Sequence, residues 1–263
     1  MKIIVCIKQV PNTTEIKIDP VTNTLKRDGV PSIINPDDKT AIEAALQLKE
    51  KCGATVTVIT MGPMQAEKAL REALAMGADE AFLISGREFA GSDTLATSTI
   101  IAAAIRKLGA DVVFCGRQAI DGDTAQVGPQ IAEKLHLPQV SYVEEVIEAT
   151  EEYVVVKRQY EDGYHIIKIK TPCLLTAIAE LATPRYMSVR GIVEAYEAEI
   201  KVLGFEELKD ELELDMIGLK GSPTNVYQSF TKEVKGAGTI LEGLSADEAV
   251  KAIMDKLEAK FII

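Results

Sequence analysis

The segment 116–129 has the composition of a loop that binds phosphate. It follows a short apolar run typical of a buried strand, and it leads into a helical pattern. Its small residues let backbone N–H groups approach an anion, and Thr124 and Gln126 can donate hydrogen bonds. The helix that follows presents its positive end to the same region. This arrangement fits the diphosphate group of a nucleotide.

The same residues also have a purely structural interpretation. Asp123 and Thr124 can cap the following helix while the glycines make a tight turn, and no ligand is then needed. The residue types alone leave these two alternatives open. No GxGxxG fingerprint follows the first strand and no GxxxxGK occurs in the sequence, which argues against the ordinary Rossmann and P-loop modes. A nucleotide site here requires a less common α/β fold.

The elements that would position this loop alternate between strand and helix. Val- and Ile-rich runs predict buried parallel strands, and apolar residues three and four apart predict helices between them. The strands are residues 2–7, 55–60, 80–84 and 111–115, and the helices are residues 39–51, 65–76 and 94–108. Such alternation implies a Rossmann-like parallel sheet with helices on both faces, with ligands at the carboxyl ends of the strands. The predicted fold class is therefore α/β.

The second half of the chain has a different pattern. Residues 153–158 and 164–170 flank a Glu-Asp-Gly turn and predict a β-hairpin, which we place at 153–170. We assign residues 1–195 to a nucleotide-binding domain. Residues 196–263 form an acidic extension and an arm whose amphipathic helix opens at Ser245. That helix either docks on its own domain or lies on a partner subunit.

Composition excludes several classes of function. The formal charge of −11, from 29 basic and 40 acidic residues, disfavours nucleic acid and anionic membranes as partners. The four cysteines are widely separated, so they predict neither a zinc site nor a disulfide framework. No signal peptide and no membrane span is recognisable. We therefore expect a soluble cytoplasmic protein.

At residues 116–128 the sequence resembles the adenine-nucleotide loop of electron transfer flavoprotein β subunits. Further motifs similar to that family occur in the expected order: Asn35-Pro36, Met61-Gly62-Pro63, residues 75–79, residues 156–163, residues 172–176 and Pro184-Arg185-Tyr186-Met187. One position departs, since His165 stands where the family usually has Glu or Gln. The resemblance covers essentially the whole chain. It implies a fold like that of adenine-nucleotide hydrolases.

The resemblance also implies which residues hold the nucleotide. It assigns no catalytic side chain and no metal, because hydride and electron transfer run through the cofactors. Cys6 ends the first predicted strand and is expected to make contact without redox chemistry. The implied binding residues are Cys6, Asn35, Pro36, Asp37, Asp38, Met61, Gly116, Arg117, Gln118, Ala119, Ile120, Asp121, Gly122, Asp123, Thr124, Ala125, Gln126 and Val127.

Two branches of the family differ in the nucleotide of this subunit. One holds structural AMP and reads Asp-Asp-Asp in the loop, whereas this chain reads Asp121-Gly122-Asp123 and resembles the bifurcating branch. A glycine there removes a negative charge and leaves room for a diphosphate. The resemblance thus implies FAD reduced by NADH. One electron would pass to a second FAD on the α subunit and the other to ferredoxin or flavodoxin, with AMP as the alternative.

The resemblance further implies a partner. Residues 182–192 resemble the loop that docks an acyl-CoA dehydrogenase, with Arg185, Tyr186 and Val189 as partner-binding residues. A simple connector is the structural alternative for this segment. A rival of another class is a regulatory adenine-nucleotide-binding module of the universal-stress-protein kind. A homodimer that binds ATP would favour that module, and an α/β heterodimer would exclude it.

Overall fold

The computed structural model describes residues 1–12, 31–224, 236 and 238–263. The described chain falls into two compact units. The first consists of residues 1–12 and 31–224, and the second consists of residues 236 and 238–263.

Most regular structure belongs to the first unit. Its strands are Lys2–Cys6 (β1), Gln9–Pro11 (β2), Ser32–Ile34 (β3), Thr55–Met61 (β4), Glu80–Ile84 (β5), Val112–Gly116 (β6), Gln139–Ala149 (β7), Tyr153–Tyr160 (β8), Gly163–Lys170 (β9), Cys173–Ala177 (β10) and Lys201–Leu203 (β11). Its helices are Pro36–Cys52 (α1), Glu67–Met76 (α2), Thr94–Leu108 (α3), Val127–Lys134 (α4), Val189–Glu197 (α5) and Phe205–Leu208 (α6). Among the described residues, no helix combines the length and the apolar character that a bilayer crossing requires.

Nine strands form one sheet in the order β11-β5-β4-β1-β6-β10-β7-β8-β9. The strands from β11 to β7 pair in parallel, whereas β7, β8 and β9 pair antiparallel. The chain moves outward from β1 to β4 and β5 and then returns to β6 on the other side of β1. This reversal of strand order opens a crevice at the carboxyl ends of the strands. The predicted Rossmann-like α/β fold and the β-hairpin are confirmed.

The core has one cluster on each face of the sheet. Along β1, Ile3 and Val5 pack with α1 and α2, while Ile4 packs on the opposite face with α3 and α4. Successive strand residues point to opposite faces, so a strand buried on both sides needs a continuous apolar run. This explains why the predicted strands and helices of the first half agree with the structure to within a few residues.

Two segments differ from the sequence prediction. Strand β11 pairs with β5 in the main sheet, so the compact unit continues beyond residue 195, where the sequence places the end of the domain. Three residues in an acidic segment are too short for a periodic signal. Residues 182–192 were expected to form a loop, but α5 begins at Val189 because Ser188 caps it by accepting a hydrogen bond from Gly191 N at 2.9 Å.

In the part of the second unit that the structure describes, there is one helix, Ala246–Glu258 (α7). Ser245 is its N-cap and forms a capping box with Glu248, as the sequence predicts: Ser245 N donates to Glu248 Oε2 at 2.9 Å, and Glu248 N donates to Ser245 Oγ at 3.4 Å. Within this unit Val250 and Ile253 are more than half exposed. The predicted helical arm is therefore present, with part of its apolar side uncovered.

Candidate functional site

A cavity of about 1020 Å³ lies at the carboxyl ends of β1, β4, β5 and β6. Its lining comes from the segments that follow these strands, namely residues 6–9, 61–64, 84–87, 89–94, 115–119 and 122–128, together with Asp38 and a few further side chains. Parallel strands end at one edge of a sheet, so their loops converge there. The crevice created by the reversal of strand order and the predicted phosphate loop therefore coincide.

The loop between β6 and α4 is held in a compact turn by its own hydrogen bonds. Asp123 N donates to Ala119 O at 2.9 Å, and Gln118 Nε2 donates to Asp123 Oδ1 at 3.0 Å. Asp123 is thus engaged within the loop. Within the described chain, no side chain caps α4, and its first residues, Val127 and Gly128, line the cavity. The side-chain capping alternative does not hold, and the start of α4 faces the cavity with its backbone.

Asp38 joins the loops that follow β1 and β6. Its carboxylate accepts hydrogen bonds from Lys8 N at 2.8 Å and from Gly116 N at 2.9 Å. Residue 116 must be glycine, since a Cβ there would lie 2.2 Å from Asp38 Oδ1. Burial raises the pKa of Asp38 to about 7, although its hydrogen bonds with Lys8, Asn35 and Gly116 act in the opposite direction. Asp38 therefore braces two walls of the cavity.

Asn35 supports the same loop from behind. Its side chain is fully buried, with Nδ2 donating to Gln118 O at 2.8 Å and Oδ1 accepting from Ile120 N at 3.1 Å. A buried amide that satisfies two backbone groups in this way fixes the path of the chain. Asn35 thus sets the shape of the loop through its backbone.

Ion pairs tie the charged residues of the site together. Lys8 Nζ lies 2.7 Å from Asp121 Oδ1, and Arg117 Nε lies 3.6 Å from Asp37 Oδ2. Burial raises the pKa of Asp37, and the Arg117 charge opposes that rise. The Lys8 and Arg117 side chains remain 47% and 36% exposed and line the cavity. Their positive charges therefore lie at the cavity surface, where the carboxylates of Asp121 and Asp37 partly offset them.

The structure brings most of the predicted site residues to the cavity surface and leaves others behind it. The lining residues are Cys6, Asp38, Met61, Gly116, Arg117, Gln118, Ala119, Gly122, Asp123, Thr124, Ala125, Gln126 and Val127. The residues outside the lining are Asn35, Pro36, Asp37, Ile120 and Asp121. Asn35, Asp37 and Asp121 are the residues that hold the loop by hydrogen bonds or ion pairs. Motif position alone does not distinguish these two groups.

Cys6 and Cys115 are neighbours in register on β1 and β6. The Cys6 thiol and burial both raise the pKa of Cys115. A thiol with a raised pKa is protonated at neutral pH and is a poor nucleophile. Cys6 is only partly buried, and both cysteines line the cavity.

Sequence reasoning missed one wall of the cavity, the segment 85–94. This wall contains the 3-10 turn Arg87–Phe89 and the start of α3, which Asp93 caps by accepting hydrogen bonds from Leu95 N at 2.9 Å and Ala96 N at 3.0 Å. The pKa of Asp93 is lowered. Burial acts to raise it, but hydrogen bonds from N–H groups, including that of Ala96, outweigh the effect of burial. The available signal was Ser-Gly-Arg directly after β5, at the same edge of the sheet as residue 116.

The predicted partner-binding residues lie apart from the cavity lining. Arg185 is paired within the chain: its Nε donates to Glu43 Oε2 at 2.8 Å and its Nη1 donates to Glu50 Oε1 at 2.5 Å. These pairs raise the pKa of Arg185 and fix its segment on α1. Tyr186 and Val189 are 99% and 82% exposed. Arg185 thus positions the segment, while Tyr186 and Val189 are available for contact.

Helix α5 is mounted on α2 through its backbone. Arg71 Nη1 donates to the carbonyl oxygens of Ala195 at 2.6 Å, Tyr196 at 3.0 Å and Ala198 at 3.3 Å. Gly191 allows close packing, since a Cβ there would lie 2.4 Å from Ala75 O. The outer side of the helix, which we call the α5 face, consists of exposed residues at helical spacing: Val189, Ile192, Val193 and Tyr196.

Comparisons with known proteins agree on one family. The family model described as electron transfer flavoprotein domain matches residues 22–208. The electron transfer flavoprotein subunit β of Thermoanaerobacterium thermosaccharolyticum is 56% identical over 264 residues, which cover 100% of both chains. The acryloyl-CoA reductase electron transfer subunit γ of Anaerotignum propionicum is also 56% identical, and a subunit of the caffeyl-CoA reductase-Etf complex of Acetobacterium woodii is 52% identical, again with 100% of both chains covered.

Proposed function

The chain belongs to the electron transfer flavoprotein family as a β subunit, and we propose that its cavity binds FAD that accepts hydride from NADH. In this proposal one electron passes to a second FAD on the α subunit and onward to an acyl-CoA dehydrogenase. The other passes to ferredoxin or flavodoxin. Membership in this family also replaces the regulatory universal-stress-type module as the interpretation of the strand and helix alternation.

The size of the cavity is the observation that carries the proposal. FAD is an AMP unit extended by a second phosphate, a ribityl chain and the isoalloxazine ring. The cavity of about 1020 Å³ runs from the phosphate loop to the 85–94 wall. It lies at the upper end of the range of about 300–1,000 Å³ that is usual for small-molecule and cofactor sites. This space suits a dinucleotide better than AMP alone.

Gly122 supports the same choice. A Cβ at this position would have no protein atom within 4 Å, so packing within the chain does not require glycine here. An aspartate would add a negative charge and a side chain beside the loop that receives the phosphates. The glycine therefore serves the ligand, because it leaves both the space and the charge balance that a diphosphate needs.

The side chains of this subunit bind and orient the cofactor. In the proposed complex, backbone N–H groups of the phosphate loop and of α4 contact the diphosphate, and Lys8 and Arg117 offset its charge. Bound FAD supplies a flavin that takes up a hydride and gives up electrons singly. Asp38 and Asn35 keep the loop in shape. No side chain of this subunit is needed as an acid, base or nucleophile.

The α5 face is the proposed docking surface for the dehydrogenase. Tyr186, which lies just before α5, and the four side chains of the α5 face are exposed, whereas Arg185 acts by holding the segment that precedes the helix on α1. The names of two relatives connect them with acryloyl-CoA and caffeyl-CoA reductases, which supports a partner that acts on CoA thioesters. The helical arm is proposed to contact the α subunit through the apolar side of α7.

A cytoplasmic location is also part of the proposal. Cys6, Cys52, Cys115 and Cys173 are all free thiols, which is the usual state in a reducing compartment.

The test is the nucleotide content of the purified heterodimer with its α subunit. Denaturing extraction followed by chromatography should yield two FAD per heterodimer and no AMP. In a separate sample of the intact heterodimer, NADH should bleach the flavin absorbance. One FAD and one AMP would contradict the proposal and leave this chain with structural AMP. If the heterodimer contains two FAD but NADH does not reduce it, FAD stands as the cofactor and NADH is ruled out as the electron donor.

A further inference from the structure

A segment near the end of the described part of the first unit lies against the cavity wall at 85–94. Residues 217–224, which we call the strap, follow the 3-10 turn Leu214–Met216. Ile217 at the start of the strap is 2% exposed and packs in the same core cluster as Phe89 of the wall. The strap lies beyond the residues that match the family model, which ends at residue 208.

Hydrogen bonds join the strap to the wall at several points. Gly218 N donates to Ser92 Oγ at 3.1 Å, and Thr224 N donates to Asp93 Oδ2 at 3.0 Å. Ser222 Oγ accepts a hydrogen bond from Asp93 N at 2.8 Å and donates one to Gly218 O at 2.6 Å. The strap thus forms hydrogen bonds with Ser92 and Asp93, two residues that line the cavity.

Close backbone approach shows that the contact is built into the fold. Gly218 has φ of +60°, and a Cβ there would lie 2.3 Å from Glu88 O. On the wall side, a Cβ on Gly91 would lie 2.6 Å from the Leu219 side chain. Because Glu88 O belongs to the backbone, a side chain at residue 218 would push the strap away from the wall.

Asp93 connects the strap to the start of α3 at the cavity wall. One carboxylate oxygen of Asp93 accepts hydrogen bonds from Leu95 N and Ala96 N at the start of α3, and the other accepts from the strap. Next to it, Thr94 Oγ1 donates to Gln126 Oε1 of the phosphate loop at 2.9 Å. A shift of the strap would therefore move the α3 terminus, the wall and this link to the phosphate loop together.

We propose that the strap positions the 85–94 wall for the bound nucleotide, with Ser222 and Gly218 as positioning residues. The inference rests on the proposed function, since it takes the cavity to be the nucleotide site. It assigns part of the site to a segment that sequence reasoning placed in the acidic extension. The strap touches the wall from outside and leaves contact with the ligand to Ser92, Asp93 and their neighbours.

The test compares Ser222→Ala with the wild type in the full heterodimer. The substitution removes the acceptor of Asp93 N and the donor to Gly218 O. We expect the β-subunit nucleotide to dissociate about two- to tenfold faster, the factor that corresponds to the loss of one or two hydrogen bonds. Amides of residues 86–96 should exchange faster in the nucleotide-free state. Nucleotide retained during dialysis and hydrogen exchange by mass spectrometry measure these effects.

Three further variants separate positioning from general destabilisation. Ser222→Thr keeps the hydroxyl group and should restore wild-type retention. Thr150→Ala removes a hydroxyl that also accepts from backbone N–H and donates to one backbone carbonyl, in the turn between β7 and β8, and it should leave retention unchanged. Gly218→Ala forces the strap away from Glu88 and should release the nucleotide faster than Ser222→Ala.

The outcomes are distinguishable. Wild-type retention in Ser222→Ala, with faster exchange in residues 217–224, would overturn the inference because a loosened strap would then not matter to the ligand. Unchanged exchange in residues 217–224 would also overturn it, since the hydrogen bonds would not hold the strap. A wild-type heterodimer that carries neither FAD nor AMP in this subunit would overturn the proposed function itself.

Discussion

The loops around the cavity and the α5 face are built in opposite ways. Around the cavity, polar side chains such as Asn35 and Asp38 are buried and form hydrogen bonds with backbone groups. On the α5 face, apolar side chains such as Val189 are exposed, and the polar groups that support them lie underneath. Each region has a surface and a set of residues that support it. Around the cavity the two named polar side chains are buried and support the loops, whereas on α5 the apolar side chains form the exposed surface.

This difference separates residues that make contact from residues that position others. Asn35 and Arg185 were both predicted as binding residues, yet the structure pairs each of them within the chain. Burial and hydrogen-bond partners, which a motif does not display, reveal the distinction. Substitutions that affect either a contact residue or a positioning residue, but not both, test this distinction.

The largest effect is expected from Gly116→Ala in the cavity support. The new methyl group would lie 2.2 Å from Asp38 Oδ1 and 2.8 Å from Asp38 N, so the backbone must move. Overpacking of this kind costs about 3 kcal/mol. The melting temperature of the heterodimer should fall by about 6–12 °C for a cost of this size. Gly122→Ala, where a Cβ meets no protein atom within 4 Å, is the matched control, and equal melting temperatures would contradict the role of the close approach.

Asp38→Asn tests the buried carboxylate through its pH dependence. Burial raises the pKa from an ordinary 3.8 to about 7, so between these values the folded protein holds a proton that the unfolded chain has lost. The contribution of Asp38 to the free energy of unfolding is fully present below pH 4 and is lost as the pH rises to about 7. The slope is at most about 1.4 kcal/mol per pH unit. The difference in melting temperature between wild type and variant should therefore change over pH 4–7 and stay constant above, and a parallel pair of curves would refute the raised pKa.

Most of the sheet was predictable because its strands are buried on both faces. A run such as Val-Val-Phe-Cys in β6 has few other interpretations, and Ser245 with Glu248 identifies a helix start from the sequence alone. Strand β11 was not predictable, since its three residues acquire strand character only by pairing with β5. Local patterns show what a segment can form, whereas partners distant in the sequence decide short elements.

The site was predictable in part for the same reason. The residues of the phosphate loop are adjacent in sequence, so their spacing is visible. The 85–94 wall became part of the cavity because β5 lies two strands away from β1 at the same edge of the sheet. That neighbourhood depends on topology. The assignment of Asn35 to support also depends on a contact across more than 80 residues, with Gln118.

Gly122→Asp tests the surface of the cavity separately from its support. The protein has room for the new side chain, so the melting temperature of the nucleotide-free heterodimer should stay near the wild-type value. FAD should bind about tenfold more weakly because a carboxylate is added beside the phosphate site. Gly163→Asp in the hairpin turn, where a Cβ also meets no protein atom within 4 Å, is the control. Undiminished FAD affinity would show that the loop does not receive the phosphates.

The smallest effect is expected from Val189→Ala on the α5 face. Loss of part of one apolar contact should raise the KM for a purified acyl-CoA dehydrogenase from the same organism about fivefold, with the flavin content unchanged. Val202→Ala in β11 removes the same atoms from a side chain that is 44% exposed, and it should leave the KM unchanged. Equal KM values for both variants would place the docking surface elsewhere.

The mounting of α5 has a consequence for the evolution of partners. Arg71 holds this helix by main-chain carbonyls, and Gly191 packs against a main-chain oxygen. Neither contact depends on the identity of the outward side chains. The face can therefore accumulate substitutions without loss of its support, and in its proposed docking role a few outward replacements would change the redox partner. Transplanting the face of a relative while keeping the rest of the chain is therefore a direct way to test the proposed docking role.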